Sequence, residues 1–165
     1  MRERYWNFYT SIKYKSCYYM YYQIFVKRIN IGISCFLSCV TISSIAAWNF
    51  GKTYPLLWSG IICLSQIIQA VLPNLPYFDL LIPVKLMISA VDRQLLDIDH
   101  DWLVIETHDL SEDQIINLLE KHQNRYADLV DQFFSGEYLP IIKYCVKKAE
   151  EECDTYFSVT YQIPK

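Results

Sequence analysis

The densest cluster of residues able to do chemistry is Asp97-Ile98-Asp99-His100-Asp101. Alternating carboxylates beside a histidine could hold a hard cation, and they have the spacing that opens an EF-hand calcium loop. That loop needs glycine at its sixth position and glutamate at its twelfth, where this chain has Trp102 and His108. The cluster is therefore predicted to be a solvated loop, and the chain is predicted to bind no metal.

Sequence signatures of catalysis are missing elsewhere in the chain. Four glycines are too few and too scattered for the Gly-rich loop of a Rossmann or P-loop site. No Gly-x-Ser-x-Gly elbow, His-Glu-x-x-His helix or Cys-x-x-Cys pair occurs. His108 beside Asp109 is interpreted as part of a loop, and His122 as a hydrogen-bonded packing residue among apolar neighbours. We expect no cofactor and no enzymatic activity.

Composition limits the remaining protein classes. The 165 residues are 53% hydrophobic and 20% charged, against about 25% charged residues in ordinary soluble domains. This composition excludes intrinsic disorder, and six cysteines are too few for a small disulfide scaffold. Charge is divided unevenly. Residues 1–52 carry seven basic residues and one acidic residue, whereas residues 53–165 carry eight basic and seventeen acidic residues.

Two uncharged apolar runs, residues 29–51 and 53–78, are each long enough to cross a membrane. A helix needs about 20 apolar residues to cross ~30 Å of hydrocarbon, and soluble helices normally carry charges along one face. Polar residues recur in both runs every three or four positions, so they should face protein or a wet cavity. These candidates for pore lining or helix–helix contact are Asn30, Ser34, Ser38, Thr41, Gln66 and Gln69. Hydrogen bonding within one hairpin and an assembly face between several copies both remain open.

The short link between the runs predicts an antiparallel transmembrane hairpin. Gly51 suits the end of one helix and Pro55 the start of the next. Basic residues flank the hairpin (Lys13, Lys15, Lys27 and Arg28 before it, Lys85 and Arg93 after it), whereas its tip has only Lys52. The positive-inside rule then places both termini in the cytoplasm, where cysteines outside the spans stay reduced.

The N-terminal segment, residues 1–28, mixes aromatic with basic residues and contains neither Pro nor Gly. This pattern predicts an amphipathic helix in the lipid headgroup layer. The residues assigned to the membrane interface are Tyr5, Trp6, Lys13, Lys15, Lys27, Arg28, Trp48 and Trp58. Single-stranded nucleic acid is a competing ligand for such a pattern, but the position directly before a span favours lipid. The rings could also pack against later helices, and this is compatible with the first interpretation.

The C-terminal region, residues 79–165, is predicted to be a set of cytosolic helices. One starts near Pro83 and reaches Leu95 or Ile98, followed by a break over residues 97–110. Ser111-Glu112-Asp113-Gln114 has capping-box spacing and starts a helix that stops at Ser135-Gly136. A last helix spans residues 140 to about 158, before a β-prone tail over 159–163. The predicted fold is all-α, with residues 1–28 amphipathic, 29–78 a transmembrane hairpin and 79–165 cytosolic.

The layout resembles the bacterial two-transmembrane effectors of the SLATT type over about residues 1–105. The matching features are Arg4-Tyr5-Trp6-Asn7-Phe8, the serine-rich first span, the turn Pro55-Leu56-Leu57-Trp58, the Gln-containing second span and the helix ending near Trp102. The resemblance implies an antiviral defence effector, from a retron or nucleotide-signalling system, that acts as a toxin by oligomerising and permeabilising the inner membrane. It also implies that a separate cytosolic protein senses infection and holds the effector inactive.

The sequence leaves two other functions open. In one, the hairpin only anchors cytosolic helices that recruit a partner, so the chain is a non-enzymatic scaffold. In the other, the chain is a soluble oligomer whose apolar helices bury each other until insertion. The expected partners of the effector are the lipid bilayer, other copies of itself and the cytosolic sensor or inhibitor, without direct binding of nucleic acid.

Overall fold

The fold is all-helical in the computed structural model, which describes residues 1–72, 80–134 and 139–161, and only the backbone of residues 42–53. No β-strand occurs among these residues, and the predicted all-α class is confirmed. The helices are α1 Arg2–Thr53, α2 Pro55–Val71, α3 Leu81–Thr107, α4 Glu112–Phe134 and α5 Lys143–Thr160.

Helix α1 runs without interruption through the position where the sequence analysis divided residues 1–28 from 29–51. Its first glycine is Gly32, and with no proline in the helix nothing in the backbone forces a stop. Tyr54 alone separates α1 from α2, which has Pro55 in its first turn. Proline is well placed there because its missing N–H would have no partner inside the helix. The predicted change of helix between Gly51 and Pro55 is confirmed.

Helix α3 is longer than the sequence predicted: the break expected over residues 97–110 is wrong for residues 97–107, which are helical, and correct for residues 108–110. Helical spacing continues through the expected break because Ile98, Trp102 and Ile105 are all buried, on the same face as Val84 and Val91. The carboxylates that favoured a loop point to partners on other helices instead. The chain leaves α3 only after Thr107.

The start of α4 follows the predicted capping box. The Ser111 N–H donates to Gln114 Oε1 at 2.9 Å, and the Gln114 N–H donates to Ser111 Oγ at 3.3 Å. Two backbone donors at the helix end are thereby satisfied. Helix α5 begins at Lys143 and continues to Thr160, so Val159 and Thr160, predicted to be β-prone, are helical. The rest of that tail, from residue 162, lies outside the described residues.

The chain divides into two compact units. The helical unit consists of Met1–Ile24 and Leu81–Lys165, and the apolar unit is Phe25–Leu80. In the helical unit α3 packs against α4, and the first turns of α1 contribute tyrosines to the same core. Its largest buried side chains include Tyr5, Tyr9, Tyr22, Ile12, Met87, Ile98, Ile105 and His122.

Candidate functional sites: the apolar unit and the tyrosine network

The surface of the apolar unit is rich in large aliphatic side chains. Leu56 is 88% exposed, Leu57 65% and Ile67 60%, and Ile31, Leu64 and Val71 are also exposed. Among the described residues, one helical stretch, Arg2–Thr41, has the length and composition to cross a membrane, and α2 is a shorter apolar helix. Buried core helices and signal sequences can have the same length and composition. Only 6% of the most apolar window of this stretch is buried, however, whereas a core helix is mostly buried.

Hydroxyl groups in the apolar unit donate to carbonyls of their own helix. Ser38 Oγ donates to the Ser34 carbonyl and Thr41 Oγ1 to the Leu37 carbonyl, both at 2.8 Å. In α2, Ser59 and Ser65 donate to carbonyls three residues earlier. Such a bond gives the hydroxyl proton an acceptor within its own helix, so the group needs neither water nor a second helix as a hydrogen-bond partner. This is the hydrogen bonding within a hairpin that the sequence left open as an alternative to an assembly face.

The two glutamines of α2 differ from these hydroxyls. Gln66 and Gln69 are exposed, and neither amide has a hydrogen bond within the described part of the chain. Their positions, three residues apart, put both on one side of α2. Asn30 is half-buried and Ser34 is exposed, on α1. Among the predicted pore or contact residues, Asn30, Ser34, Gln66 and Gln69 thus have no side-chain hydrogen bond to another described residue, and the two glutamines are the ones that share a face of α2.

Residues assigned to the membrane interface occupy different environments. Tyr5 is buried, with its ring stacked on Trp102 at a centroid distance of 6.1 Å, and Trp6 is half-buried against the same indole at 5.0 Å. These contacts are the packing of rings against later helices that the sequence left open. Lys27 and Arg28 are exposed. Trp58 is half-buried, and the side chain of Trp48 lies outside the described residues.

Two lysines of the same segment lie over tyrosine rings of the helical unit. Lys13 Nζ is 4.0 Å from the centroid of Tyr156, and Lys15 Nζ is 4.6 Å from that of Tyr126. Burial lowers the pKa of Lys15. The acidic C-terminal part therefore holds the basic segment through cation–π and hydroxyl contacts as well as through ion pairs such as Arg2 with Asp109, at 3.6 Å.

A network of tyrosine hydroxyls is centred on Asp99 in α3. Tyr9 and Tyr161 both donate to Asp99 Oδ1, at 2.9 and 2.8 Å. The Tyr156 hydroxyl lies 3.2 Å from that of Tyr9, and because Tyr9 gives its proton to Asp99, Tyr156 is the donor. Burial, followed by these hydrogen bonds, raises the pKa of Tyr9 well above its usual range. The network joins α1, α3 and the end of α5 through neutral phenols and one carboxylate.

A second buried polar group lies between α3 and α4. His122 is fully buried and its Nε2 lies 2.9 Å from Asp101 Oδ2, which confirms the predicted packing histidine. Gln94 Nε2 donates to the His122 carbonyl at 2.7 Å, and Tyr5 donates to the Ile98 carbonyl at 3.3 Å. Sequence reasoning missed Gln94. Its position on the apolar face of α3, between Val91 and Ile98, was the signal that could have found it.

The acidic cluster of α3 is a set of interhelical contacts. Asp97 pairs with Arg125, Asp99 accepts the two tyrosine hydroxyls, and Asp101 contacts His122. The prediction of a solvated loop is wrong because these side chains lie on a helix and have protein partners. Among the described residues, no group of three or more His, Cys, Asp or Glu side chains could hold a metal ion.

No protein-family model, curated protein or solved structure matches this chain.

Proposed function

We propose that this chain is a membrane effector that crosses the bacterial inner membrane twice, associates with other copies of itself and permeabilises the bilayer. Both termini and the helical unit are cytoplasmic in this proposal, and the apolar unit is the membrane hairpin. The setting in antiviral defence, with a cytosolic sensor or inhibitor, follows from the resemblance of residues 1–105 to SLATT-type effectors.

The observation that carries the proposal is that the helical unit is built from two chain segments, one that precedes the apolar unit in the sequence and one that follows it. Tyr9 precedes the apolar unit and Asp99 follows it, yet their side chains are hydrogen-bonded at 2.9 Å. Such a network cannot form across ~30 Å of hydrocarbon, so both segments lie on one side of a bilayer. A membrane segment between them must then cross an even number of times, which supports a hairpin.

Helix lengths agree with two crossings. The 17 residues of α2 extend about 26 Å at 1.5 Å per residue, close to the thickness of the hydrocarbon layer. The part of α1 from Phe25 to Thr53 exceeds that length. Exposed basic residues follow the positive-inside rule on the flank of each span, Lys27 and Arg28 before the first and Lys85 and Arg93 after the second. This supports a cytoplasmic helical unit.

Self-association is supported by the two glutamines of α2. An amide that contacts lipid without a hydrogen-bond partner is costly, whereas an amide of a second copy can satisfy it. Gln66 and Gln69 have the spacing for such a pair of contacts on one helix face. Hydroxyls such as that of Ser59 are already bonded to their own backbone and do not need a second copy.

The test is permeabilisation by the full-length chain in cells and in reconstituted vesicles. Expression should depolarise the membrane and admit a small impermeant dye, with the sensor absent. The double variant Gln66→Leu with Gln69→Leu should insert normally but lose both oligomers and dye entry. Ser59→Ala, on the same helix, is the matched control and should keep full activity. An intact membrane potential with the wild-type chain, or full activity of the glutamine variant, contradicts the proposal.

A scaffold function is the second candidate, favoured by apolar side chains exposed on the helical unit. Ile141 is 84% exposed, and Leu96 and Val159 are also exposed, as a partner-binding surface requires. Replacing the apolar unit with an unrelated two-span hairpin separates the two functions. A scaffold keeps its activity after this exchange, whereas a permeabilising effector loses it.

A further inference from the structure

Two thiols from distant parts of the chain meet in the core of the helical unit. Cys17 on α1 and Cys153 on α5 are both buried and belong to one packed cluster with Ala149. Tyr14, Tyr18, Tyr21 and Phe157 pack around the cluster. Packing in one cluster brings together two thiols that lie far apart in the sequence, and proximity is the first requirement for a disulfide.

The two thiols are equally buried, but they differ in their position relative to a cavity. A cavity of about 360 Å³ opens beside α1, α3 and α5, and its lining includes Cys17 but not Cys153. Lys13, one turn before Cys17, lines the same cavity, as do the carboxylates of Asp92 and Glu152. A small polar oxidant can therefore reach Cys17 through the cavity, with Cys153 behind it.

The pKa values of the two thiols shift in opposite directions, and the shifts also favour reaction at Cys17. The hydrogen bond from Cys153 and the charge of Lys13 lower the pKa of the Cys17 thiol, against burial and the charges of Glu152 and Asp92, which raise it. The hydrogen bond to Cys17 and burial raise the pKa of Cys153. Thiolates rather than thiols are the nucleophiles, so the thiol that lines the cavity, Cys17, is also the more reactive one.

We propose that Cys17 and Cys153 form a peroxide-reactive dithiol, in which Cys17 is oxidised from the cavity and Cys153 closes a disulfide that links α1 to α5. The Cys17 thiolate attacks one oxygen of a hydroperoxide, giving sulfenic acid at Cys17 and an alkoxide or hydroxide that takes up a proton. The Cys153 thiol then attacks the Cys17 sulfur and releases water. With hydrogen peroxide, two thiols and one peroxide give one disulfide and two waters.

The proposal is tested on the full-length chain in detergent, in a background carrying Cys35→Ala, Cys39→Ala and Cys63→Ala, since those thiols are exposed. Hydrogen peroxide should give a chain 2 Da lighter whose linked peptides contain Cys17 and Cys153, and dithiothreitol should reverse the change. Cys145, buried on α5, is the internal control and should stay reduced. Equal oxidation of Cys145, or the absence of the Cys17–Cys153 linkage, would overturn the proposal.

Single variants assign the roles. Cys153→Ser should trap sulfenic acid at Cys17, detected as a dimedone adduct, whereas Cys17→Ser should leave Cys153 unreacted. Lys13→Met should slow oxidation of Cys17 several-fold, and Lys27→Met, at an exposed lysine outside the cavity, should not. A dimedone adduct at Cys153 in the Cys17→Ser variant, or equal rates for both lysine variants, contradicts the assigned roles. Thiol oxidation is measured without membranes, so it is independent of whether the chain permeabilises a bilayer.

Discussion

Hydrogen bonds from side-chain hydroxyls to another helix occur in the helical unit, whereas the hydroxyl bonds described in the apolar unit stay within one helix. In the helical unit, Ser16 and several tyrosines bond across helices, from Ser16 to Asp92, from Tyr9 to Asp99 and between Tyr19 and Tyr126. Other hydroxyls of this unit, such as those of Thr107 and Thr155, bond to carbonyls of their own helix. In the apolar unit, those of Ser38 and Thr41 return to the backbone of their own helix. Interhelical bonds specify which helices meet, whereas bonds within a helix only satisfy the polar group. The interhelical side-chain hydrogen bonds of the helical unit thus help to specify which of its helices pack together.

The two units also differ in which surface is apolar. The core of the helical unit consists of tyrosines and aliphatic residues such as Tyr9 and Ile98, and its exposed aliphatic residues, such as Leu96, lie on a surface that also carries the charges. In the apolar unit, the aliphatic residues are outside, as expected next to lipid. This comparison gives a direct way to test the membrane assignment, because a charge introduced at an exposed aliphatic residue should be harmful in the apolar unit and tolerated in the helical unit.

The largest expected effect is that of charge on exposed aliphatic residues of α2. Leu64→Arg with Ile67→Arg should abolish stable insertion, since each arginine near the middle of a span costs about 3 kcal/mol. Leu96→Arg with Leu103→Arg is the matched pair in the helical unit, where both leucines are exposed to solvent. Carbonate extraction of membranes should release the first variant and retain the second. Equal retention of both variants would show that α2 is not in the bilayer.

Alkaline pH should destabilise the helical unit. Burial raises the pKa of Tyr5 and Tyr9, so the folded state keeps protons that the unfolded chain releases above about pH 10. Stability is therefore full below that pH and falls above it, by up to about 1.4 kcal/mol per tyrosine and pH unit. Urea unfolding followed by circular dichroism between pH 8 and 11 should show the loss.

A phenylalanine variant provides the control for this pH dependence. Tyr5→Phe keeps the buried ring but has no proton to release, so its stability should fall less steeply above about pH 10. Tyr54→Phe, at a tyrosine that is 60% exposed, should leave the wild-type slope unchanged. If both variants keep the wild-type slope, the buried phenol of Tyr5 does not contribute to the alkaline transition.

Two aspartates of α3 should differ in what they contribute to stability. Asp99→Asn weakens charge-assisted hydrogen bonds from Tyr9 and Tyr161 and should cost about 2 kcal/mol. Asp97→Asn breaks an exposed pair with Arg125 and should cost under about 1 kcal/mol. Denaturant midpoints of the two variants in the same detergent give the comparison. Equal costs would mean that the tyrosine network adds nothing beyond a surface ion pair.

The smallest effect is expected for the hydroxyls of the apolar unit. Ser38→Ala with Thr41→Val removes two bonds to the backbone of α1 and should change stability by less than about 0.5 kcal/mol. Membrane retention and dye entry should also stay at wild-type level. A loss of permeabilisation in this variant would transfer the pore assignment from the glutamines to the hydroxyls.

Helix positions were predictable where the signal is local. The Ser111 capping box and Pro55 at the start of α2 act within one turn, so sequence spacing is sufficient to locate them. The extent of α3 was not predictable in this way. Asp97, Asp99 and Asp101 are typical of a loop when considered alone, and their partners on other chain segments become visible only in the structure. The helix continues through them because Ile98, Trp102 and Ile105 are buried at helical spacing.

The tyrosine-rich start of α1 shows a different limit of sequence reasoning. Aromatic and basic residues are compatible both with a lipid interface and with a protein core, because Tyr combines an apolar ring with a polar hydroxyl. Choosing between them for Tyr5 requires knowing that Trp102 and His122 lie beside it. The thiol pair was equally hidden, since Cys17 and Cys153 are far apart in sequence and no spacing rule links them.

The helical unit joins residues 1–24 to residues 81–161, so it cannot be fully assembled until the second of these segments has been synthesised. The tyrosines of α1 leave the ribosome first, yet Trp102 and Tyr161, the rings against which they are buried, are made only after the whole apolar unit. Contacts so distant in sequence form slowly, and the unburied aromatic segment is exposed to chaperones, or to aggregation, in the meantime. In the proposed topology, the apolar unit therefore reaches the membrane before the fold of the helical unit is complete.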